Sequence, residues 1–345
     1  MSRILCFGEI LLRFSPDTEG GWLARNSMPV HIGGAELNVA TALAKWSEST
    51  PGGQWQSAYC TAVPNNYLGR QLITYLQSKN IDASPVQLYG NRVGLYYLPQ
   101  GLDVKNAGVI YDRAASSFAE LQTGVIDWDA LLRDVSWFHF SAIGPALSQS
   151  AADVCKEALR AARAKGITIS LDLNYRAKLW QYGKKPSDIM PALAQYCDLI
   201  MGNVWAAETM LKVPIDPDLS KKDIKELYLQ QAMLSSEEIM RQYPSCKSVA
   251  NTFRFDHTGT IRYYTALYTA GQLHVSKEYV TDAVIDKVGS GDCFMAGLIY
   301  GHVCKWDARQ IIEFATAAAF KKLFIKGDAT TSSVEEIKSA YSHYV

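Results

Sequence analysis

Near the C-terminus, residues 285–301 run from a glycine turn straight into an apolar helix: Gly289, Ser290, Gly291 and Asp292 are followed by Cys293, Phe294, Met295, Ala296, Gly297, Leu298, Ile299 and Tyr300. Gly289 and Gly291 remove side chains where backbone N–H groups approach an anion, and the first helical turn adds unpaired donors and the positive end of its dipole. The pattern predicts a phosphate cradle with Asp292 inside it. A carboxylate there repels phosphate unless it takes a proton from an attacking hydroxyl while charge moves onto the phosphoryl group. A base beside an anion hole therefore points to phosphoryl transfer. The bland alternative is a tight turn with an aspartate at a helix start, since Gly-x-Gly-Asp alone is a common string. Other nucleotide signatures fail. A dinucleotide loop needs a third glycine where Phe294 stands, and neither G-x-x-x-x-G-K-[ST] nor an H-R-D catalytic loop occurs.

The chain around this turn has material for a large core. Of 345 residues, 48% are hydrophobic and 20% charged, which excludes a disordered chain and suits an open α/β sheet with additions. Lys plus Arg and Asp plus Glu number 34 each, so no positive excess exists to hold nucleic acid or an anionic membrane, and a small-molecule ligand is expected. The seven cysteines are scattered and never spaced C-x-x-C, as buried free thiols in a reducing compartment would be. The apolar run before Gly8 is too short for a signal segment, and no apolar run reaches the roughly 18 residues of a membrane helix. A cytoplasmic location is the expectation. His139, between Phe138 and Phe140, reads as a core residue rather than a metal ligand.

Along the chain, apolar runs at 3–7, 10–14 and 28–32 predict strands. Gly33 and Gly34 then open a helix with Val39, Leu43 and Trp46 at helical spacing. Either this is an ordinary strand-to-helix connection, or the glycines let a polyol touch backbone while Asn38 bonds its hydroxyls. A strand at 56–63, a helix at 67–79 and a strand ending near Tyr89 continue the βαβ rhythm. It breaks between Asn91 and Arg113, where two alternating runs read as a hairpin. With the strands at 10–14 and 28–32 this makes a small antiparallel lid, inserted at about 9–35 and 89–113, able to exclude water from a γ-phosphate. The rhythm resumes with a strand at 135–141, a helix at 148–165 and a strand at 167–173 ending in Asn174, Tyr175 and Arg176. Another strand at 198–203 ends at Asn203. Polar residues at such tips sit where open α/β sheets bind ligands. A charged helix at 220–242 reads as a solvated face, strands follow at 249–253 and 262–266, and helices at 291–304 and 307–322 precede Lys326, Gly327 and Asp328. No repeat, low-complexity tract or linker interrupts residues 1–345, which are expected to form one domain.

The early Gly33–Gly34 turn with Asn38 and the late Asp286, Gly289, Ser290, Gly291, Asp292 helix entry resemble the two signatures of ribokinase-like (PfkB) carbohydrate kinases, in that order and near the two ends of the chain. Within that family, Gly94-Leu95-Tyr96, residues 109–113, residues 172–176 with Leu179-Trp180, and Lys326-Gly327-Asp328 are similar to 2-keto-3-deoxygluconate kinases. The resemblance covers essentially the whole chain. It implies a doubly wound, mostly parallel sheet flanked by helices, with a β lid over the sugar and ATP at the sheet's carboxyl edge. Asp292 would be the base toward the sugar's primary hydroxyl, Gly289, Ser290 and Gly291 the anion hole, and Mg²⁺ would bridge the nucleotide phosphates.

A keto-deoxy acid carries a carboxylate that a neutral hexose lacks. Arg113 offers it a planar fork and Tyr96 and Tyr111 offer hydroxyls from neighbouring lid strands, unless the tyrosines only pack the lid and Arg113 pairs with Asp112 or Glu120. Arg176 could serve the sugar or the γ-phosphate, and Asp328 the far side of the sugar pocket. Asn174, Asn203, Thr252 and Arg254 fall to the nucleotide. Two positions depart from the family: Ala206 stands where N-x-x-E places a glutamate, with Glu208 two residues on, and Arg254 stands where a glycine is common. Metal ligands are therefore unassigned. The expected activity is ATP-dependent phosphorylation of 2-keto-3-deoxygluconate, with a fructokinase or another sugar kinase of the same fold, or a non-catalytic sugar-acid sensor, as alternatives; a homo-oligomer is left open.

Overall fold

Strands that are apolar without interruption need helices on both faces, and the central strands here meet that demand. The computed structural model describes residues 2–16, 26–50, 55–99, 108–222, 224–257 and 259–342. In chain order the strands are β1 (Ser2–Phe7), β2 (Leu11–Phe14), β3 (Val30–Gly33), β4 (Trp55–Cys60), β5 (Ala62–Val63), β6 (Gln87–Leu88), β7 (Gly94–Tyr97), β8 (Ile110–Asp112), β9 (Val135–Ser141), β10 (Thr168–Asp172), β11 (Leu199–Gly202), β12 (Ser248–His257), β13 (Thr260–Thr269), β14 (Gln272–Val275) and β15 (Tyr279–Thr281). The main sheet runs β14-β13-β12-β11-β10-β9-β1-β4, with β15 also on β13. From β12 to β4 every pair is parallel; β13, β14 and β15 join antiparallel.

Alternation along β1 shows how the faces fill. Ile4 and Cys6 enter one apolar cluster, Leu5 and Phe7 the other. The first cluster is closed by the helices Ala35–Ser49, Ser290–Val303 and Ala308–Lys322, through Leu43, Trp46, Phe294, Leu298 and Phe314. Trp46 stands edge-on to both Phe314 and Tyr300, at 5.4 and 5.7 Å between ring centres. The second cluster takes Val154, Ala158, Leu159 and Ala162 from the helix Gln149–Ala164. Ser148 caps that helix by accepting the Ala151 N–H at 3.0 Å, and Gly166 ends it in a left-handed conformation at φ 69°.

The lid is a separate sheet, β3-β2-β7-β8. Its outer pairs are antiparallel as expected, but β2 and β7 run parallel. The reason is connectivity: β7 returns to the lid only after β4 and the helix Tyr67–Ser78, and a connection that long lets a strand enter in the same sense as its neighbour. Other boundaries shift. The strand expected at 56–63 stops at Cys60, and Ala62–Val63 pairs with β6 instead. The helix expected from 220 begins at Lys225, after a 3-10 turn at Leu219–Lys221. The two strands expected at 249–253 and 262–266 are arms of one long hairpin, and β14 and β15 follow it unannounced. Part of the polar stretch after Ser15 lies outside the described residues.

His139 is buried, its Nδ1 sits 3.0 Å from the Ser170 hydroxyl, and burial pushes the ring down to about 3, so it stays neutral. All seven cysteines are free thiols, six of them buried. Among the described residues no helix is long and apolar enough to cross a membrane.

Candidate active site

Parallel strands deliver their carboxyl ends to one edge, and several polar residues converge there: Glu9 just past β1, Ser141 closing β9, Asp172 closing β10 and Asn203 just past β11. Between this edge and the lid lies a cleft of about 620 Å³. Of the residues expected from sequence, Gly34, Asn38, Tyr96, Tyr111, Arg113, Asn174, Arg176, Asn203, Thr252, Arg254, Gly289, Ser290, Gly291, Asp292 and Asp328 all line it. Gly33 lies just behind, where a side chain would run into the Asp328 carboxylate.

The glycine turn has the form its residue types require. Gly289 precedes the helix Ser290–Val303 with φ 78° and ψ −1°, a left-handed conformation in which a side chain would also strike the Asp328 carbonyl. A side chain at Gly291 would meet nothing within 4 Å, so the turn faces open cleft. Asp292 lies in the first helical turn, 8% exposed, and accepts a hydrogen bond from Asn38 Nδ2 at 2.7 Å. Burial pushes its carboxyl up to about 8; the nearby Asp172 and Glu36 push the same way, while the Asn38 bond and Arg176 pull it down. A carboxyl tuned toward neutrality, at a helix N-terminus and open to a cleft, can exchange a proton with a bound hydroxyl.

Arg113 corrects a sequence expectation. Its partner is neither Asp112, which pairs with Arg92 at 2.8 Å, nor Glu120, but Glu9: Nε and Nη2 both reach Oε2 at 2.5 Å, and the Ser116 hydroxyl donates to Oε1. Both partners are buried. The Arg113 fork thus lines the cleft with its charge already countered. Asp328 is likewise engaged, accepting from Arg13 Nε at 2.8 Å and from the Tyr96 hydroxyl at 3.4 Å. Tyr96 and Tyr111 stand side by side, 6.1 Å between ring centres, and Tyr111 is hydrogen-bonded to Arg176. Arg176 also donates to the Tyr175 carbonyl at 3.0 Å.

Sequence reasoning gave no role to Glu9, Arg13, Glu36 or Asp172. Glu36 is buried, accepts from the Ser141 N–H at 2.9 Å and from its hydroxyl at 2.5 Å, and is held above the usual carboxylate range by burial. Asp172 accepts the Asn174 N–H at 3.0 Å, shaping the tip of β10. A charged residue inside an apolar run was the available signal, for Arg13 among Leu11, Leu12 and Phe14. Lys178 and Lys287 also line the cleft; Lys178 donates to the Val109 carbonyl of the lid at 3.1 Å, and Lys287 reaches Asp256 at 3.2 Å.

At the position where a metal-organising glutamate was sought, Ala206 forms part of the cleft wall, and its N–H is taken by Asn203 Oδ1 at 2.9 Å as a helix cap. Glu208 is exposed and is not among the residues lining the cleft. Among the described residues no cluster of three His, Cys, Asp or Glu is placed to hold a metal ion.

Residues 1–237 match the pfkB family of carbohydrate kinases. A 2-dehydro-3-deoxygalactonokinase of Haloferax volcanii is 26% identical over 339 residues, spanning 98% of this chain and 96% of that protein. Among solved structures, a 2-dehydro-3-deoxygluconokinase from Thermotoga maritima shares 33% identity with a TM-score of 0.86, covering 98% of this chain and 99% of the other. A fructokinase with bound ATP from Xylella fastidiosa, 20% identical over 99% of this chain and 98% of its own, shares the fold at a TM-score of 0.73. With its ribokinase-like sheet, its lid and a match over most of its length, the chain belongs to the pfkB family and is a carbohydrate kinase.

Proposed function

We propose that this kinase transfers the γ-phosphoryl group of ATP to the terminal primary hydroxyl of 2-keto-3-deoxygluconate. The hydroxyl oxygen bonds to the γ-phosphorus, the bond to the β–γ bridging oxygen breaks, ADP leaves, and the hydroxyl proton passes to Asp292. The observation that carries this reading is one juxtaposition: the buried carboxyl of Asp292, raised to about 8, stands at a helix N-terminus directly after the open glycine turn. Backbone donors of residues 289–291 would neutralise the phosphoryl oxygens.

Asn174, Asn203, Thr252 and Arg254 form the proposed nucleotide side. Mg²⁺ bound with ATP would supply charge neutralisation on the nucleotide phosphates. The carboxylates lining the cleft are Asp172, Asp292 and Asp328, with Asp292 given to the proton transfer and Asp328 held by Arg13, so most of the ion's ligands would be phosphate oxygens and water, which suits Mg²⁺. On the sugar side, Gly33, Gly34, Asn38 and Asp328 would meet hydroxyls. The substrate carboxylate would fall between Tyr96, Tyr111, Arg113 and Arg176. Arg176 has no carboxylate ion pair among the described residues, so it answers an incoming anion more readily than Arg113 does. Two sugar-acid kinases among the relatives, one named for a galactonate-derived and one for a gluconate-derived acid, support the substrate class.

The Glu9–Arg113 pair favours a second reading, a neutral sugar, because it spends a positive charge the acid would use. One experiment separates them: ADP release measured for 2-keto-3-deoxygluconate, 2-keto-3-deoxygalactonate, fructose and ribose. The acids should show the highest kcat/KM, and Arg176→Ala should raise KM for the acids at least ten-fold, roughly the loss of a charged hydrogen bond. Preference for fructose or ribose would overturn the acid substrate.

A further inference from the structure

Behind the glycine turn lies a buried charge cluster that the proton transfer does not use. Arg13, on lid strand β2, is 2% exposed, and its guanidinium spans two carboxylates from the far end of the chain. Nε donates to Asp328 Oδ1 at 2.8 Å, and Nη2 reaches Asp328 Oδ1 at 2.6 Å and Asp286 Oδ2 at 3.0 Å. Asp286 in turn grips loop backbone: Oδ1 accepts the Val288 N–H at 3.0 Å and Oδ2 the Gly327 N–H at 3.1 Å. From below, the wholly buried Lys322 donates to the Ile325 carbonyl at 2.9 Å, and the Leu323 carbonyl accepts the N–H groups of Ile285 and Asp286 at 2.8 and 3.1 Å. Both segments that enclose the glycine turn are thus tied to one lid residue.

The lid end of this link is as specific. In the β2–β7 register Arg13 lies opposite Tyr96, and the Tyr96 hydroxyl donates to the same Asp328. A shift of the lid strands therefore carries Arg13 and Tyr96 together and pulls on both carboxylates. Buried ion pairs are poor stability devices, because apolar groups of similar volume serve as well; what a forked guanidinium between two carboxylates supplies is geometry.

We propose that Arg13 is a positioning residue that couples the lid to the anion loop. Sugar held beneath β2 and β7 sets, through Arg13, Asp286 and Asp328, the backbone conformation of residues 289–291 that receives the phosphoryl group. The proposal rests on the reading of that loop as the phosphate cradle. It predicts that the two substrates assist each other: an occupied lid holds the loop in its phosphate-binding form.

The test uses Arg13→Lys, which keeps the charge but cannot span both carboxylates, beside Arg13→Met and Asp286→Asn, each assayed as folded protein by circular dichroism. Kinetics use the best acceptor of the sugar panel, and calorimetry measures β,γ-imido-ATP binding with Mg²⁺, with and without that sugar. For Arg13→Lys we expect kcat to fall about 10- to 100-fold with sugar KM changed less than about three-fold, as misplacement of a reacting centre does. In the parent the sugar should tighten analogue binding by about five-fold or more, within the usual range of coupling between sites, and in Arg13→Lys this tightening should vanish. A variant that melts at lower temperature yet keeps parental kcat and parental coupling would overturn the proposal, leaving Arg13 a purely structural residue. Gly289→Ala separates this from failure of the cradle itself. If its strained, obstructed turn leaves kcat intact, the anion-hole reading falls, and the proposed coupling with it; if Gly289→Ala is inactive while Arg13→Lys is parental, only the coupling falls.

Discussion

Asp292 concentrates the proposed chemistry of the site in one titratable group. Asn38 orients its carboxyl, and burial holds it protonated up to about 8. As the proposed general base it must lose that proton in the free enzyme, so kcat/KM should climb as pH rises toward and through about 8, measured with the best acceptor at saturating ATP. Asp292→Asn should lower kcat by about 10²- to 10⁴-fold while leaving sugar binding, followed by calorimetry, nearly unchanged. Stability should move the other way. Between the ordinary carboxylate range and about 8 the folded protein holds a proton that the unfolded chain releases, so the folded state loses stability as pH rises through that window. Asp292→Asn, which never ionises, should therefore melt above the parent at pH greater than about 8 and level with it near pH 4. Parental and mutant melting curves that stay parallel across that range would show that the carboxyl is not raised.

Among the elements, the helix Ser290–Val303 is tied to function by how closely it is packed. It presses on the helix Ala308–Lys322 so tightly that a side chain added at Gly297 would come within 2.5 Å of the Ala315 Cα and 2.9 Å of its Cβ. Neither contact is to a flexible side-chain end, so the helices must separate. Gly297→Ala should destabilise the protein by about 1–3 kcal/mol, seen as a lower urea midpoint at unchanged slope. Because the same helix begins at the glycine turn, part of the displacement should also reach Asp292 and lower kcat. A second element-scale test is the cap of Gln149–Ala164. Ser148 accepts from the Ala151 N–H and donates to the Ala119 carbonyl at 2.6 Å, so Ser148→Ala should cost about 1 kcal/mol by the same measurement.

Across the whole molecule, β1, β4, β9, β11 and β12 of the main sheet each feed the two large apolar clusters, as Ile4 and Leu5 do on adjacent positions of β1. Neither cluster can come apart without exposing the back of the other. We expect residues 1–345 to unfold in one cooperative transition, with secondary structure and aromatic environment, followed by far- and near-ultraviolet circular dichroism, lost at the same urea concentration. Two separated midpoints would instead divide the chain into independent units. Ligands that span lid and sheet edge should raise that midpoint, and sugar and nucleotide analogue together should raise it by more than the sum of their separate effects if they bind cooperatively.

The glycine turns, the strand and helix alternation and the polar tips of β10 and β11 were legible in the chain because each depends on a local requirement: a backbone conformation, a repeat of side-chain direction or a missing side chain. Those requirements pointed to the sheet and, together with the family resemblance, to about half of the residues lining the cleft. The partners of the charged groups were not legible. Arg113 meets Glu9 across 104 positions, and Arg13 meets Asp286 and Asp328 across 273 and 315. Nor was the parallel pairing of β2 with β7, which brings Arg13 opposite Tyr96. Pairing of buried charge depends on distances through space that exist only after the strands are ordered in the sheet, and no spacing along the chain records them. Sequence by itself determined where a glycine turn opens into a helix at the cleft; the tertiary structure decided which charges are left to meet a substrate and which are already spent on one another.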